Sequence, residues 1–429
     1  MYASTYQPFP SVPTAIIGAH LFDGDGGELE NATVLIRDGR IEKVGEGVDA
    51  PSGYEVVDAH GKWVTPGLID AHSHLGVYAS PANAASSDGN EATSPVTAEV
   101  WAEHSVWPQD PGFNRAREGG VTTLLILPGS ANLMGGRSVT VRNVPSRTYQ
   151  GMKFPGAPYG LKMACGENPK RVYGSRGRAP STRMGNVAGY RSAWIGAADY
   201  MRRWDDYHAK IKRGEKADPP ARNLQNETLA GVLRGEILVQ NHCYRADEMA
   251  TMIDVSKEFG YHVTAFHHAV EAYKIADILK ANDICVATWA NWWGFKLEGY
   301  DAIEDNAALL HRAGACAVIK SDDPNLVQRL NQEAAVAWSA GKRDGIDIPE
   351  REAIEWITRN PAKMLGISAQ TGTLAPGKRA DVVIWDKNPF SIYALTDRVY
   401  IDGAIVWDRK DPRYQPRSDF EIGHPGETR

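Results

Sequence analysis

Three polar side chains alternate within the otherwise apolar segment GLIDAHSHLG. Asp70, His72 and His74 are two residues apart, so on a β-strand they point to the same face. Two imidazole rings on one face can bind a single divalent metal ion, because neutral histidine is a common metal ligand. An HxH pair alone is a weak signal, since it also occurs in strands that bind nothing. A metal site therefore requires further ligands elsewhere in the chain.

Two more histidines and an aspartate end later apolar segments. His242 ends EILVQNH, His268 ends HVTAFHH, and Asp322 lies at the end of CAVIKSDD. The successive separations are 26 and 54 residues, about one and two strand–loop–helix units. With the HxH pair, this spacing predicts ligands at the carboxyl ends of strands one, five, six and eight of a barrel, which is where the active sites of such barrels lie.

Such a ligand set can hold one or two metal ions. Three ligands and a water molecule make a catalytic site with an open position, and four histidines with two carboxylates can hold two ions about 3.5–4 Å apart. We expect a divalent cation, with zinc favoured by the nitrogen-rich set and manganese or iron as alternatives. A two-ion centre also needs a bridging anion from an intermediate strand.

The fourth β-type segment, GLKMACGEN, contains two candidates for this bridge. If the strand runs unbroken from 162 to 167, Lys162 lies about 16 Å before Glu167, at about 3.3 Å per residue. Glu167 is then level with the other ligands, and we expect it to bridge the ions. Lys162 would need carbamylation to do so, and we expect it to be a buried, paired side chain instead.

Asp322 and its neighbour have different expected roles. Asp323 precedes Pro324, an order typical of a helix N-cap followed by the first helical residue. Asp322 is therefore the expected ligand and the expected general acid–base residue, since a carboxylate beside a metal-bound water can accept its proton and pass it to a leaving group. His267 points to the opposite face of its strand from His268, so we expect it to pack outside the barrel.

Five residues are candidates for substrate binding. Two basic residues directly follow the GEN segment and could bind a substrate carboxylate, or could be surface charges. The segment ATWANWWGFKLEGY contains three Trp and one Phe within seven residues, which indicates either an aromatic pocket wall or a hydrophobic plug beneath a loop. The candidates are Lys170, Arg171, Tyr173, Trp292 and Trp293.

The elements that must position these residues form an α/β pattern between residues 66 and 370. Eight apolar β-type segments alternate with helical patterns, which predicts a parallel (β/α)8 barrel of the TIM type. The segments are GLIDAHSH, VTTLLIL, SVTVRN, GLKMACG, EILVQNH, HVTAFHH, DICVATWA and CAVIKSDD.

Two stretches, 80–112 and 170–235, are too long for ordinary connections, so we expect insertions there. From Lys170 to Lys216 there are twelve Lys or Arg and four Asp or Glu, a local net charge of +8 in an acidic protein. This charge suits a lid that attracts an anionic substrate, but also a solvated helix pair or a subunit contact.

Both ends of the chain contain short alternating β-type segments separated by DG and Gly-rich turns. Neither end is large enough to be stable alone. We therefore expect one small β-sandwich built from residues 1–65 and 371–429, the latter including a C-terminal tail.

Composition limits the class of protein. The chain has 429 residues, 42% hydrophobic and 23% charged, as is usual for globular proteins, and it has no apolar run long enough to span a membrane. A net charge of −6 argues against a nucleic-acid partner. We expect a small-molecule or short peptide-like substrate and a homo-oligomer.

The cysteines and the first residues bear on the compartment. Four cysteines without a CxxC pair lie in apolar segments, so we expect buried free thiols. The start, MYASTYQPFP, has no basic residues and no apolar core, so we expect no signal peptide in this chain. The cytoplasm and, if a leader has been removed, an exported location both remain open.

Several of these segments together resemble the amidohydrolase superfamily, and in particular its imidazolonepropionase-like branch of metal-dependent hydrolases. They are VTPGLIDAHSHLG, the strand-end histidines, SDDPNLVQRLNQEAA, TRNPAKMLGI and GTLAPGKRADVVIWD, within residues 13 to 408. The resemblance implies a first metal ion held by His72, His74 and Asp322, and a second held by the histidines that end strands five and six. The bridge in this superfamily is often a carbamylated lysine, whereas GENPKR resembles a sub-branch in which a glutamate, here Glu167, takes that place.

The combined expectation is a hydrolase that cleaves a carbon–nitrogen bond of an amide or peptide-like compound, with Asp322 as its acid–base residue. Two alternatives remain open. One is a one-metal deaminase or a cyclic-amide or imidazolone hydrolase on the same fold. The other is a barrel that has lost its chemistry, against which the intact ligand positions argue.

Overall fold

A computed structural model describes residues 2–292 and 294–415, and sixteen strands lie within these ranges. The strands are β1 Thr14–Phe22, β2 Glu28–Arg37, β3 Arg40–Glu46, β4 Glu55–Asp58, β5 Trp63–Pro66, β6 Leu68–Ser73, β7 Val121–Ile126, β8 Met134–Arg142, β9 Gly160–Ala164, β10 Leu238–Cys243, β11 Val263–His268, β12 Cys285–Thr288, β13 Cys316–Ile319, β14 Val382–Trp385, β15 Thr396–Ile401 and β16 Ala404–Asp408.

Ten α-helices accompany the strands in the same part of the chain. They are α1 Pro111–Glu118, α2 Glu167–Gly174, α3 Arg183–Lys212, α4 Leu224–Leu233, α5 Ala246–Phe259, α6 Ala276–Ala281, α7 Asn306–Arg312, α8 Leu330–Arg343, α9 Glu350–Ala353 and α10 Arg359–Met364. None of these described helices combines the length and apolar character needed to cross a lipid bilayer.

Strands β6 to β13 form one eight-stranded sheet in chain order, and each corresponds to one of the eight segments predicted from the sequence. The first and last strands meet at their carboxyl ends, where the backbone N–H of Asp322 donates to the carbonyl of His72 at 3.0 Å. The buried carboxylate of Asp70 strengthens this closure by accepting hydrogen bonds from the backbone and hydroxyl of Ser321. The sheet is therefore a nearly closed barrel, and the predicted TIM-type fold is confirmed.

One barrel strand runs against the others. β8 pairs antiparallel with both β7 and β9, whereas the other hydrogen-bonded neighbours in this sheet are parallel. The prediction of a fully parallel barrel is wrong at this strand. The connection from β7 to β8 spans only residues 127–133 and contains no helix. A parallel return needs a crossover of about a dozen residues or more, so the chain returns as a hairpin.

The strands from the two chain ends also share one sheet. Its order is β16-β15-β14-β5-β1-β2-β3, with β4 paired to β1. Ile16, Val34, Val64 and Val382 belong to its own buried apolar cluster. The two ends therefore form a common unit, as expected. The strand pairing gives one sheet, and the division into two packed sheets of a sandwich stays a prediction.

A buried ion network joins this terminal sheet to the barrel. Arg142 of β8 pairs with Asp381, just before β14, and lies 3.2 Å from Asp402, between β15 and β16. All three side chains are buried. Removing one partner of such a buried pair typically costs about 3–5 kcal/mol, because the remaining charge is left unpaired.

The cysteines form two disulfides, so the prediction of free thiols is wrong. Cys165 follows β9 and bonds to Cys243 at the end of β10, while Cys285 and Cys316 face each other in the β12–β13 ladder. The partners are 78 and 31 residues apart in sequence, and neighbouring barrel strands bring them together. Such bonds are typical of proteins that fold in oxidising compartments.

The two predicted insertions lie in connections of the barrel. The first, 80–112, precedes β7 and contains two short 3-10 turns before α1 begins at Pro111. The second, 170–235, lies between β9 and β10 and holds most of α2 with α3 and α4. At 30 residues, α3 is long for a globular helix, and it contains six of the twelve basic residues counted between Lys170 and Lys216.

Candidate metal centre

Three donor atoms meet where β6 and β13 end. Nε2 of His72 lies 3.3 Å from Nε2 of His74, and Oδ1 of Asp322 lies 3.2 Å from each of them. A tetrahedral zinc ion with bonds of about 2.0 Å keeps its ligand atoms about 3.3 Å apart. The ligand atoms of these three residues, called here the donor triad, thus already have the spacing of a tetrahedral metal site.

Backbone and side-chain partners hold the two triad histidines in the ligand tautomer. Nδ1 of His74 donates to the carbonyl of Leu127 at 2.8 Å, which leaves its Nε2 lone pair free. Nε2 of His267 donates to Oε1 of Gln240 at 2.7 Å, so its Nδ1 accepts from Nδ1 of His72 at 2.8 Å. The proton on Nδ1 of His72 again leaves Nε2 free, as is usual for histidine ligands with an outer partner.

The expectation that His267 packs outside the barrel is therefore wrong. Its neighbour His268 has a φ of +69°, in the left-handed region that breaks the alternation of a strand. Both histidines consequently face the site from the end of β11.

The other two predicted histidine ligands lie beside the triad. The rings of His242 and His268 are 4.4 Å apart between centroids, and both residues are buried. Among the described residues, neither ring nitrogen of His242 has a hydrogen-bond partner. Nδ1 of His268 lies 3.4 Å from Oδ2 of Asp322. We call these two residues the histidine pair.

Two fully buried lysines flank the histidine pair. Lys162, on β9, has no hydrogen-bond partner for Nζ in the described part of the chain, and burial lowers its pKa to about 7. Lys320, directly after β13, lies 2.9 Å from Nδ1 of His268 and 3.0 Å from Oδ2 of Asp322. Burial lowers the pKa of Lys320 to about 8. The sequence analysis missed Lys320, which lies after the end of β13, where Asp322 has a φ of +60° and the alternation of a strand no longer applies.

Burial also sets the protonation of the ligands. It lowers the pKa of His72, His242 and His268 well below the ordinary value, so these imidazoles are neutral at neutral pH. Burial alone would raise the pKa of Asp322, but Lys320 and the neighbouring histidines hold it well below its usual range. Neutral imidazoles and an ionised carboxylate are the forms that bind a divalent metal.

Glu167 does not lie on the strand that was predicted to carry it. β9 ends at Ala164, the chain turns at Gly166 with a φ of +79°, and Glu167 begins α2. The strand therefore does not run unbroken from 162 to 167, as we expected. Lys162 lies only two residues before the end of β9, closer to the other proposed ligands than that assumption implied. The carboxylate of Glu167 lies 3.7 Å from Nζ of Lys296.

Asp323 has the structural surroundings expected of a cap. Its Oδ1 accepts from the backbone N–H groups of Asn325 and Leu326 at 2.7 and 2.9 Å. Its carboxylate is thus engaged at the start of the next turn, whereas that of Asp322 faces His72 and His74.

A cavity of about 410 Å³ opens above these groups, a size that suits a small organic substrate. Its lining includes all five predicted His and Asp ligands, Lys162 and Glu167, and also Ser130, Asn168, Arg171, Tyr244, Trp289, Trp292, Phe295 and Lys296. Of the substrate candidates, Arg171 and Trp292 thus face the cavity. Lys170 is not among the lining residues, Tyr173 is buried with its hydroxyl donating to the carbonyl of Ser94, and Trp293 lies outside the described residues.

The donor set fits a divalent transition metal. It offers nitrogen and oxygen atoms, the imidazoles of His72, His242 and His268 are neutral, and three of its atoms already have the spacing of a tetrahedral site. The buried, unpartnered nitrogens of His242 and Lys162 support the same conclusion, because buried polar atoms normally have partners.

Comparison with known proteins gives relatives along most of the chain. The protein named amidohydrolase tasK from Hapsidospora irregularis is 33% identical over 404 residues, which is 87% of this chain but only 40% of that relative's length. An imidazolonepropionase from Agrobacterium fabrum is 25% identical over 390 residues, 84% of this chain and 85% of its own. The solved structure of an amidohydrolase from Thermotoga maritima MSB8 has a TM-score of 0.84 at 36% identity and covers 92% of this chain and 100% of its own.

The model of the amidohydrolase family matches residues 63–410, which include the whole barrel and every residue of the donor triad and the histidine pair. The members of this family are hydrolases that act on carbon–nitrogen bonds. The chain therefore belongs to the amidohydrolase family.

Proposed function

We propose that this protein is a metal-dependent amidohydrolase that cleaves an amide or peptide-like bond of a small substrate. The donor triad is the observation that carries the proposal, because its three ligand atoms lie 3.2–3.3 Å apart at the base of a cavity of substrate size. His72, His74 and Asp322 would hold one metal ion, and His242 and His268 would hold a second.

Lys162, as its carbamate, is the bridge that we now propose in place of Glu167. Its Nζ is buried without a partner among the described residues, and its charge acts on His72, His242 and Asp322 alike. In carbamylation the neutral amine adds to the carbon of CO2, a C–N bond forms, and one proton leaves to solvent. The product is an anion, which suits a position between two cations. Glu167 is instead held near Lys296 at the start of α2.

A bound metal would polarise the substrate carbonyl and make the attacking water more acidic. Asp322 performs the proton transfers in this proposal. Its ionised carboxylate accepts a proton from the attacking water and delivers it to the nitrogen of the leaving amine. The rings of Trp289, Trp292 and Phe295, 5.4 to 6.4 Å apart between centroids, form an apolar wall of the cavity beside this exchange.

Metal analysis joined to an activity screen tests the proposal. We expect purified protein to contain zinc or manganese, to hydrolyse compounds from a panel of N-acyl amino acids, dipeptides and lactams, and to lose that activity on chelation. Re-addition of metal should restore it. Full activity in protein free of transition metal would contradict the proposal, as would ammonia release from amino-substituted rings with no amide cleavage.

A further inference from the structure

One of the two disulfides joins the strands that carry Lys162 and His242. Lys162 is on β9 and His242 is on β10, and the bonded residues Cys165 and Cys243 follow them by three residues and by one residue. The backbone N–H of Cys165 donates to the carbonyl of His242 at 2.9 Å. Gly166, with its positive φ, then turns the chain into α2. The disulfide therefore lies at the last level at which the two strands run side by side.

The sulfur atoms lie outside the metal site. Successive residues of a strand point to opposite faces, so Cys243 points away from the face that presents His242. Both cysteines belong to the buried apolar cluster that contains Met249 and Met252 of α5. Neither cysteine is among the described residues that line the cavity. The bond thus contributes no ligand atom, and it can act on the site only through the backbone.

The side chains of Lys162 and His242 depend on the course of their strands. In the part of the chain that the structure describes, Nζ of Lys162 and both ring nitrogens of His242 lack hydrogen-bond partners. His72 and His74 differ, because a hydrogen bond at Nδ1 orients each of these rings. A covalent bond that fixes the ends of β9 and β10 relative to each other therefore also fixes the distance between the ammonium group and the imidazole.

The second disulfide provides a comparison within the same barrel. Cys285 and Cys316 are the first residues of β12 and β13, and they face each other in the ladder between these strands. No proposed ligand belongs to β12, and Asp322 lies six residues after Cys316. This bond is thus at the opposite ends of its strands from the metal centre.

We propose that the Cys165–Cys243 disulfide is a positioning element for the second metal ion, so that the two-ion centre depends on oxidising conditions. With the bond closed, Lys162 and His242 are held where both can serve the second ion. With the bond open, the strand ends gain freedom and the second ion binds weakly, while the donor triad still holds the first. The inference rests on the proposed function and adds a regulation of its metal centre.

Opening the bond is a two-electron reduction. The S–S bond breaks, each sulfur gains one electron and one proton, and two thiols form. When a phosphine is the reductant, it supplies both electrons, and one water molecule supplies the two protons and the oxygen of the phosphine oxide. The thiols remain on the outer face of the barrel wall, so the reaction leaves every proposed ligand in place.

Zinc titration of two double variants tests the inference. Cys165→Ala/Cys243→Ala should bind the first ion within about threefold of the wild-type affinity and the second ion about 10- to 100-fold more weakly. Cys285→Ala/Cys316→Ala should bind both ions as the wild type does. Isothermal calorimetry in bicarbonate buffer resolves the two steps. An unchanged second step, or an equal loss in both steps, would overturn the inference, because general loss of structure weakens both ions alike.

Reduction gives a reversible form of this test that does not require the first variant to fold. The chain has four cysteines, so Cys285→Ala/Cys316→Ala retains only the bond between β9 and β10. Mass spectrometry of this native protein should count two zinc ions before treatment with tris(2-carboxyethyl)phosphine and one after it. Reoxidation with oxidised glutathione should restore the second ion. Two ions in the reduced form would overturn the inference.

Hydrogen exchange of the metal-free protein supplies a readout that involves no zinc. The N–H of Cys165 is bonded to the carbonyl of His242, and that of Ala269 to the carbonyl of Cys243, both at 2.9 Å. In the reduced form these two amides should exchange at least about tenfold faster, because the strand ends open locally. The N–H of Lys320, bonded to Thr288 between the other two strands, should exchange as before. Equal exchange at Cys165 in both forms would contradict the positioning role.

These outcomes separate the inference from the proposed function. Two ions in the oxidised form without hydrolysis of any amide would contradict the proposed function and retain the redox dependence of the second ion. Amide hydrolysis with two ions in both redox forms would overturn the inference alone. A single ion in the oxidised wild type would also overturn it, because no second ion would then exist for the bond to position.

Discussion

The donor triad and the histidine pair share one cavity but differ in how ready they are to bind a metal ion. In the triad, the ligand atoms already lie 3.2–3.3 Å apart and the carbonyl of Leu127 and the ring of His267 fix their tautomers. In the pair, His242 has no partner for its ring nitrogens in the described part of the chain, and His268 contacts the ammonium group of Lys320. The triad is preformed, whereas the pair depends on two buried lysines.

This difference has an electrostatic cause. A second divalent cation would enter a space beside two buried amines, and like charges in a buried site repel strongly. Carbamylation converts Lys162 from a potential cation into an anion and so removes part of that cost. In the proposed two-ion centre, the chemistry of this one lysine would therefore determine whether the second metal ion can bind.

The largest expected effect is on the triad. Asp322→Asn should lower kcat by at least about 100-fold, because it removes both a ligand charge and the acid–base group. Steady-state kinetics with saturating metal measure this loss. Asp323→Asn is the matched control: asparagine also caps helices, so most activity should remain and the free energy of unfolding should change by less than about 1 kcal/mol. The reverse pattern would show that the roles of the two aspartates are exchanged.

A smaller effect should follow when the support of the triad is removed. His267→Leu leaves all proposed ligands in place but takes away the partner of Nδ1 of His72, so the affinity for the first metal ion should fall about 10- to 100-fold. Competition with a chromogenic chelator measures this affinity. His262→Leu, at an exposed position directly before the same strand, should leave this affinity unchanged. Equal affinities in the two variants would mean that the triad does not rely on this outer contact.

The smallest expected effect concerns the pair and has the opposite sign. Lys320→Met keeps the side-chain volume but removes a buried cation 2.9 Å from Nδ1 of His268, so the affinity for the second metal ion should rise about tenfold. The first ion should be affected less, and isothermal calorimetry with the metal resolves the two steps. A fall in affinity for the second ion would show that the neutral amine of Lys320 supports metal binding instead of opposing it.

The residues that the sequence proposes as ligands lie together in the structure, whereas their surroundings were predicted less well. His242, His268 and Asp322 follow apolar segments at regular spacing. Such a pattern is visible in the sequence because the strands of a barrel follow one another in chain order. Lys320 and the inward turn of His267 depend on where a strand stops and on a backbone in the left-handed region, which composition and alternation do not encode. The two disulfides were missed because their partners meet only through strand pairing.

The choice of the residue that bridges the proposed metal ions shows the same limit of prediction from sequence. Lys162 and Glu167 were ranked by distance along a strand assumed to be continuous, and Gly166 ends that continuity with a turn. The antiparallel β8 and the single terminal sheet likewise depend on how short connections fold back. The overall barrel was predictable because eight apolar segments must bury both faces, as β6 and β7 do along their whole length.

Metal stoichiometry in two bridge variants tests the central claim most directly. Wild-type protein, Lys162→Ala and Glu167→Gln would be loaded with zinc in bicarbonate buffer, and bound metal per chain counted by mass spectrometry of the native protein. We expect two ions in the wild type and in Glu167→Gln, and one ion in Lys162→Ala. The wild type should also carry the additional mass of one CO2 on Lys162. Two ions in Lys162→Ala with only one in Glu167→Gln would contradict this account and identify the glutamate as the bridge.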